Sequence, residues 1–431
     1  SDLQIVDAFV GAPFIRGDSK LYAQLSEDNV SDLNLSDSNI IITEQLTGNT
    51  TTADGTLSLN ITTLGISSAS WATFDQERYS IGYDDANNGI GTITADTFSI
   101  VGNTVRFNGL TPSKNVTVNV TATKDGIRSK IKNSTRSTVI SVNNSKLKES
   151  GTTDNDSSND GLTFNSYYGL RVQDEEISLN HPDVYNVLSV YESLNSENPT
   201  LDQIEFNSIA NVSSNAIIGE NIIGRNSKAV ARVVTNSTTT PSSSSNKLGV
   251  VYLTRNRLNI NETVDFLESN IETEVESITF GNYKDITSVF SLDKGQNDQY
   301  YGYSKIVRNR GKFVPSKRLL IVFDRYTTSS TDSGDVFTVN SYDEEIYGKY
   351  IPEIGKGLIR ASDTLDFRPK VSVFDPTVTT DRSPFDFNAR TTAFDTLPTK
   401  LLAPGEGSTV DFSFYLGRID RIYLSRLGEF F

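Results

Sequence analysis

The segment Val116–Thr123 alternates strictly between apolar and polar side chains. Val116, Val118, Val120 and Ala122 share one side, and threonine or asparagine occupies every position between them. Because successive side chains of a β-strand point to opposite faces, this pattern predicts a strand with one buried face. Only 36% of the chain is hydrophobic, and sheets that bury a single face tolerate such a shortfall. We therefore predict a mostly β protein, with helix below roughly 15%.

Turn signals divide the 431 residues into several units. A chain of this length suggests about three domains, and we expect several β-sandwich or β-barrel-like domains in series. Residues 1–65 predict an N-terminal β arm or module. Residues 66–149 predict an immunoglobulin- or fibronectin-like sandwich, because short strand patterns there are separated by turns. The stretch 150–161 contains no apolar residue, and it predicts a linker.

The rest of the chain predicts a β-rich region at 162–209 and 276–431, interrupted by an inserted small β unit at 210–275. Consecutive apolar residues at Leu319–Phe323 predict a strand that is buried on both faces. The best candidate for a helical turn begins at Asn180, which could cap it, with Pro182 and Asp183 in the first turn. We find no tandem repeat with a period of about 20–50 residues, which argues against a solenoid or a propeller.

The formal net charge is −15 and the isoelectric point is about 4.7, so we expect no nucleic-acid partner. Basic clusters at Lys124–Lys132 and Arg308–Arg318 are interpreted as solvated strand faces. No apolar run approaches the roughly 18 residues of a membrane span, and we expect no membrane insertion. The lack of cysteine excludes disulfides and thiolate ligands. The chain also lacks methionine and begins at Ser1, so either the initiator methionine was removed or the chain is cut from a longer polypeptide. We expect the second, because the last residues, RIYLSRLGEFF, form an apolar strand pattern with no turn or tail after it.

We predict no catalytic, cofactor-binding or metal-binding residues. The single histidine, His181, cannot supply the paired imidazoles of most zinc sites, and a capping or surface role is expected for it. The loop that begins at Asp156 half-matches a calcium-binding EF-hand, but Tyr167 stands where the bidentate glutamate is required. Acidic triplets at 174–176 and 343–345 could supply a glycosidase with its two carboxylates. Adjacent acids on a strand point to opposite faces, so we interpret both triplets as solvated edges or turns.

The most distinctive charged motifs lie in two separate segments of the chain. The first contains Asp366 and Arg368, and the second contains Arg418, Asp420 and Arg421. Arg418 and Asp420 would share one face of a strand. Bidentate pairing between arginine and carboxylate across the two segments would fix the strand register. We predict a structural role, not a catalytic one, for these five residues.

Five segments resemble the large virion structural proteins of T4-like phages that infect marine cyanobacteria, described as tail-fibre-like or baseplate-associated. They are YYGLRVQDEEISLNHPDVYNVLSVYE (Tyr167–Glu192), GQNDQYYGYSKIVR (Gly295–Arg308), RLLIVFDRY (Arg318–Tyr326), SDTLDFRPK (Ser362–Lys370) and YLGRIDRIYL (Tyr415–Leu424). A looser resemblance covers Arg106–Ser137. The similar regions span more than half of the chain. Because the roles of such proteins are mostly unassigned, no functional residue carries over from them.

The resemblance implies a virion location in the phage tail, assembly in the host cytoplasm, and contacts with other tail or baseplate proteins. We expect a structural component of a contractile tail, not an enzyme, that positions fibres or contacts the host surface. The alternative is an adhesin that binds a host surface glycan, or a depolymerase of the tail tip. The apolar ends Leu3–Phe14 and Arg421–Phe431 predict packing against neighbouring subunits or flanking domains. A homo-oligomer, with a trimer as the first guess, follows by analogy.

Overall fold

A computed structural model describes residues 20–85, 89–148, 160–207, 212–234, 246–343, 350–355, 359–378, 382–393, 401–403 and 405–416. Within these ranges helical structure is limited to short turns of three or four residues: α1 (Val212–Asn215) and the 3₁₀ turns Ile61–Leu64, Thr287–Val289, Val339–Ser341, Ala361–Asp363 and Phe387–Ala389. None of the described helices is long and apolar enough to cross a membrane. The prediction of a mostly β protein with several β domains in series is confirmed.

The strands follow in chain order. They are β1 (Tyr22–Gln24), β2 (Val30–Thr50), β3 (Leu57–Asn60), β4 (Ala69–Trp71), β5 (Ser80–Tyr83), β6 (Ile90–Gly91), β7 (Phe98–Val101), β8 (Thr104–Phe107), β9 (Asn115–Asp125), β10 (Asn133–Val142), β11 (Asn144–Ser145), β12 (Thr163–Phe164), β13 (Glu176–Pro182), β14 (Val184–Ser193), β15 (Asp202–Phe206), β16 (Asn221–Gly224), β17 (Val230–Val234), β18 (Lys247–Tyr252), β19 (Thr263–Phe266), β20 (Glu272–Thr279), β21 (Tyr283–Asp285), β22 (Phe290–Asp293), β23 (Tyr303–Arg308), β24 (Leu319–Thr327), β25 (Glu353–Ile354), β26 (Ile359–Arg360), β27 (Thr364–Asp366), β28 (Leu401–Leu402) and β29 (Thr409–Phe414).

The first unit has two sheets that share one hydrophobic core. One sheet has the order β28-β2-β9-β5-β6, with β29 also paired to β2 and β4 to β9, and the other has the order β3-β8-β7. The apolar side of β9 lies in the core between them, as its alternation predicted. The long strand β2 pairs with β9 from Asn39 to Thr50, so the pairing crosses the predicted boundary at residue 65. Strands β28 and β29 bring the C-terminal region to the same sheet.

The second unit is built around β24, the central strand of the sheet β10-β24-β14-β21. Leu319, Ile321 and Phe323 face a core shared with the sheet β13-β23-β22. Leu320 and Val322 face the opposite side, where they pack with residues of β17 and β18. The prediction that Leu319–Phe323 is buried on both faces is therefore confirmed, because a layer of protein covers each side of this sheet.

The predicted helical turn at Asn180–Asp183 is wrong. Residues Glu176–Pro182 form β13, which pairs with β23, and Val184–Ser193 form β14, which pairs with β24. Asn180 and Asp183 have positive φ angles of 60° and 58°, a left-handed conformation that asparagine and aspartate adopt more readily than other non-glycine residues. The chain therefore turns between two sheets at a position where local capping signals predicted a helix.

Residues 202–279 form a closed barrel with the strand order β15-β18-β17-β16-β19-β20. Its core contains the buried apolar side chains of these strands, among them Phe206, Ile222, Val250 and Phe266. The barrel overlaps the predicted inserted unit at 210–275 and extends beyond it at both ends. The Ser- and Thr-rich spacer between β17 and β18 lies outside the described residues.

The barrel contains an internal repeat that the sequence analysis missed. Buried Glu220 accepts hydrogen bonds from the backbone of Ile217, Glu268 and Ser269 and from the Ser269 hydroxyl. Buried Glu262 accepts them from the backbone of Asn259, Asn226 and Ser227 and from the Ser227 hydroxyl. Asn259 and Glu262 lie 42 positions after Ile217 and Glu220. Asn226 and Ser227 lie 42 positions before Glu268 and Ser269.

Each glutamate thus binds the turn of the other hairpin, and the strand pairing β16–β19 lies between the two hairpins. The left-handed residues also repeat at this spacing, with Lys228 matching Asn270. Few identical residues mark the repeat, namely Ile218 with Ile260, Glu220 with Glu262, Ser227 with Ser269, and Val233 with Val275. The conclusion that the chain has no tandem repeat of 20–50 residues is therefore wrong for this barrel.

Short pairings bring distant parts of the chain together. Strand β1 pairs with β27, so that Tyr22 lies opposite Asp366. Strands β11 and β12 pair in parallel, and β25 pairs with β26. The predicted linker, except for residues 160 and 161, lies outside the described residues, as do the apolar ends Leu3–Phe14 and Arg421–Phe431. Their predicted packing stays a prediction.

Candidate functional site

Asp366 and Arg368 are both buried, and they bind each other. Arg368 donates from Nε to Asp366 Oδ1 at 2.9 Å and from one terminal nitrogen to Oδ2 at 2.7 Å. Its backbone N–H also donates to Oδ1 at 3.0 Å. The bidentate pair predicted between two segments is thus made within one segment, at the end of β27. Arg418, Asp420 and Arg421, the other predicted partners, lie outside the described residues.

Tyr301 connects this pair to the next charged group. Its hydroxyl donates to Asp366 Oδ2, and the Arg368 guanidinium lies 4.3 Å from the centre of its ring. The other terminal nitrogen of Arg368 donates to the backbone oxygen of Asn297 at 2.9 Å. Although burial disfavours the charge on Arg368, the Asp366 carboxylate holds the pKa of the Arg368 guanidinium above its ordinary value. The guanidinium is therefore a permanent buried cation.

Lys132 lies on the other side of Tyr301, just before β10. Its amine is 3.0 Å from the hydroxyl of Tyr301 and 3.0 Å from that of Tyr342. The rings of Tyr301, Tyr342, Phe337 and Tyr326 surround it at 4.3–5.6 Å. Burial lowers the pKa of Lys132 to about 7, against an opposing effect of the nearby Asp183 carboxylate. The aromatic rings supply favourable quadrupoles, but they do not replace the lost hydration.

Asp183 joins two lysines at the corner between β13 and β14. Its Oδ2 atom is 3.0 Å from the Lys132 amine and 2.6 Å from that of Lys370, and all three side chains are buried. Burial alone would raise the pKa of Asp183, but the two lysines hold it below its usual range. The left-handed backbone at Asp183 turns this carboxylate into the cluster. We call the residues Lys132, Asp183, Tyr301, Tyr326, Phe337, Tyr342, Asp366, Arg368 and Lys370 the buried charge cluster.

Two further buried pairs tie neighbouring units to this region. Lys124 of β9 binds Asp335 at 2.7 Å, which also accepts from the backbone N–H of Arg128. Asp324 of β24 accepts from Arg232 of the barrel at 2.9 Å and from the backbone N–H of Ser137. Removing one partner of such a buried pair leaves an uncompensated charge, which costs about 3–5 kcal/mol. These contacts therefore fix the units against each other.

Two interpretations of charged segments need correction. Lys124, Lys130 and Lys132 are buried, so the basic cluster at 124–132 is not a solvated strand face. Asp174 of the first acidic triplet is also buried. Its carboxylate pairs with Arg171 and accepts a hydrogen bond from the backbone N–H of Gly169. The remainder of that triplet is more exposed, with Glu176 paired to Lys305.

His181 neither caps a helix nor lies free on the surface. It is part of β13, where its Nδ1 atom is 2.9 Å from the backbone oxygen of Leu179 and its ring packs edge-on against Phe323. Burial, with a smaller effect of Arg325, lowers the pKa of His181 to about 4. The imidazole is therefore neutral at neutral pH.

Sequence reasoning selected Asp366 and Arg368 but missed Lys132, Asp183 and Lys370. These three residues are far apart in the chain, and each resembles an ordinary surface charge. Among the described residues, no group of three or more histidine, aspartate or glutamate side chains is placed to hold a metal ion. Most of the half-matching EF-hand loop, including Asp156, lies outside those residues.

The comparisons with known proteins are negative. No protein-family model, no curated protein and no solved structure matches this chain.

Proposed function

We propose that the protein is a structural component of a contractile phage tail, associated with a fibre or the baseplate. It positions fibres or contacts the host surface, and it has no catalytic role of its own. The proposal starts from the segments that resemble tail proteins of cyanobacterial phages. Its partners are other tail or baseplate proteins in the virion, and it assembles as a homo-oligomer.

One observation carries the proposal: four of the five resembling segments contribute side chains to the buried charge cluster, and nearly all of the fifth, Tyr415–Leu424, lies outside the described residues. Tyr167–Glu192 contributes Asp183, Gly295–Arg308 contributes Tyr301, and Arg318–Tyr326 contributes Tyr326. Ser362–Lys370 contributes Asp366, Arg368 and Lys370. The more loosely similar segment that ends at Ser137 contributes Lys132. These resembling segments thus help to join β units into one framework, which is what a structural subunit requires.

The decisive experiment is to locate the protein in an electron-microscopy map of a virion. A position in the baseplate or at a fibre joint supports the proposal, and absence from purified virions refutes it. Light scattering of the purified protein tests the homo-oligomer, for which we propose a trimer by analogy. A concentration-independent monomer would contradict that part of the proposal.

A glycan-binding adhesin is the second candidate, because large aromatic side chains are exposed outside the strands. Phe280 is 69% exposed just after β20, and Phe387 is 83% exposed in a 3₁₀ turn. Exposed aromatic rings provide surfaces for contact with sugars. Binding of host envelope polysaccharide that is lost in Phe280→Ala or Phe387→Ala would favour this function. Release of new reducing ends from that polysaccharide would instead indicate a depolymerase.

A further inference from the structure

The connection between β23 and β24 presents two basic side chains to solvent. Most of the basic cluster Arg308–Arg318 lies in this connection and not on a strand. Arg310 and Lys312 are at its exposed tip, and among the described residues neither of them forms an ion pair with a carboxylate. The chain as a whole has a net charge of −15. The tip is therefore a positive region on an acidic molecule, and it attracts negatively charged surfaces.

Apolar side chains lie beside these two cations. Phe313 and Val314 follow them in the connection, and Leu194 is close by; all three are between 44% and 59% exposed. The Lys284 amine of the edge strand β21 lies 4.5 Å from the centre of the Phe313 ring. Exposed apolar side chains with charged neighbours are typical of a surface that binds another protein. The basic patch is defined as Leu194, Lys284, Arg310, Lys312, Phe313 and Val314.

Hydrogen bonds hold the basic patch in place. The backbone N–H groups of Ser316 and Lys317 donate to the buried carboxylate of Glu192 at 2.7 and 3.2 Å. The Lys317 amine donates to the backbone oxygen of Leu194 at 3.0 Å. Lys284 lies opposite Glu192 in the pairing of β14 with β21. The connection is thus fixed against two strands, so a partner that binds it does not have to order it first.

The barrel carries a surface of the opposite charge. Glu272, Glu274 and Glu276 of β20 are exposed and alternate with less exposed residues, so they share the outer face of the strand at intervals of about 7 Å. Glu272 pairs with Arg225. Within the part of the chain that the structure describes, Glu274 and Glu276 have no such partner. These two carboxylates, here called the acidic pair, repel each other, and a cation from another molecule would relieve that repulsion.

We propose that the basic patch of one copy of this chain binds the acidic pair of a second copy. Arg310 and Lys312 bring two cations that are two residues apart, and Glu274 and Glu276 bring two carboxylates with the same separation in the chain. Phe280 is exposed just after β20, so both surfaces also offer an aromatic side chain. Complementary charge selects the partner and the register, and burial of the apolar side chains adds affinity.

The basic patch lies on the sheet that contains β14 and β21, whereas the acidic pair lies on the barrel. Because the two surfaces differ, the contact is heterologous, and contacts of this kind close into a ring when the rotation between copies allows it. The inference rests on the homo-oligomer of the proposed function and names the surfaces that form it. It does not depend on a place in the phage tail, so a virion map and an association measurement test the two ideas separately.

The test is sedimentation velocity of the full chain over a range of concentrations. We expect association that increases with concentration and weakens as salt rises from about 0.05 to 0.5 M, because ions screen the charges. The double variant Arg310→Glu with Lys312→Glu should associate about tenfold more weakly or worse, since it places acids against acids. Glu274→Lys with Glu276→Lys should have an equal effect, since it places bases against bases.

A matched control comes from Glu27 and Asp28, which are exposed residues of the first unit. Glu27→Lys with Asp28→Lys changes the net charge by as much as reversal of the acidic pair does, and it should not weaken association. All four reversals in one chain exchange the charges of the two surfaces and keep them complementary. We expect that quadruple variant to associate about as strongly as the unaltered chain, which also shows that the reversed surfaces fold.

Three results would overturn the proposal: a monomer at every concentration, undiminished association in either double variant, or no recovery in the quadruple variant. A fourth result concerns a different partner. If the chain stays monomeric but binds dextran sulfate, and loses that binding in Arg310→Glu with Lys312→Glu, the basic patch serves a polyanion and not a second copy.

Discussion

Substitution of Asp366 by asparagine should destabilise the part of the buried charge cluster that surrounds Arg368. The change keeps the size of the side chain but removes the negative charge that Arg368 binds with two hydrogen bonds. Arg368 is fully buried, and its remaining side-chain hydrogen bond is to the backbone oxygen of Asn297. Breaking a buried ion pair from one side costs about 3–5 kcal/mol, because the other charge stays buried without compensation.

The expected loss is local, so it should be measured by hydrogen–deuterium exchange with peptide resolution. The relevant amides are those of Tyr301, Phe337 and Asp366, which donate to backbone oxygens beside the pair. We expect their free energy of opening to fall by about 3–5 kcal/mol in the variant. A parallel urea titration should show a lower midpoint.

The chain offers a matched control in the pair Arg225–Asp265. This pair has the same bidentate geometry, but its side chains are 48% and 38% exposed, and Arg225 also pairs with Glu272. Asp265→Asn should change little, because solvent screens an exposed pair. A second variant with Asp366→Leu and Arg368→Met should recover much of the loss, since replacing both buried charges by apolar groups is often neutral.

The reasoning would be refuted if Asp366→Asn changed the free energy of opening by less than about 1 kcal/mol, the range of a surface pair. It would also fail if the variants of Asp366 and Asp265 behaved alike. Either result would mean that burial of the Asp366–Arg368 pair does not determine how much the pair contributes to stability.

Other predictions address the repeat, the lone histidine and the contact between barrel and sheet. Glu220→Gln and Glu262→Gln should each destabilise the barrel by about 1–3 kcal/mol in urea unfolding, because each weakens hydrogen bonds to a buried carboxylate. If only one of the two variants were destabilised, the two glutamates would not have equivalent roles. NMR titration of His181 should give a pKa below 5. Since that pKa is lowered from 6.5 to about 4 on folding, stability is complete above pH 6.5 and falls by up to about 3 kcal/mol towards pH 4. A stability profile that His181→Gln leaves unchanged would argue against this assignment. Asp324→Asn should make the barrel more accessible to limited proteolysis near Arg232, and a cleavage pattern like that of the unaltered chain would show that this ion pair does not hold the barrel.

Local periodicity in the sequence was enough to predict the β class and several individual strands. The alternation at Val116–Thr123 placed its valines in the core, and the apolar run Leu319–Phe323 identified a strand covered on both faces. Both predictions concern residues that are adjacent in the chain. Burial of side chains at a period of two is a local property, because the pleat of a single strand produces it.

Only the tertiary structure decided the elements that depend on distant partners. Asn180 and Asp183 carry signals for a helix start, yet pairing with β23 and β24 places them in the turn between two strands. The barrel repeat is invisible in the sequence because few identical residues remain, whereas the reciprocal bonds of Glu220 and Glu262 define it in space. Lys132, Asp183 and Lys370 form one cluster because three distant segments meet there. In the sequence, a charged residue is expected to lie on the surface. Whether it is buried and paired depends on which distant segments pack around it, and only the tertiary structure shows that.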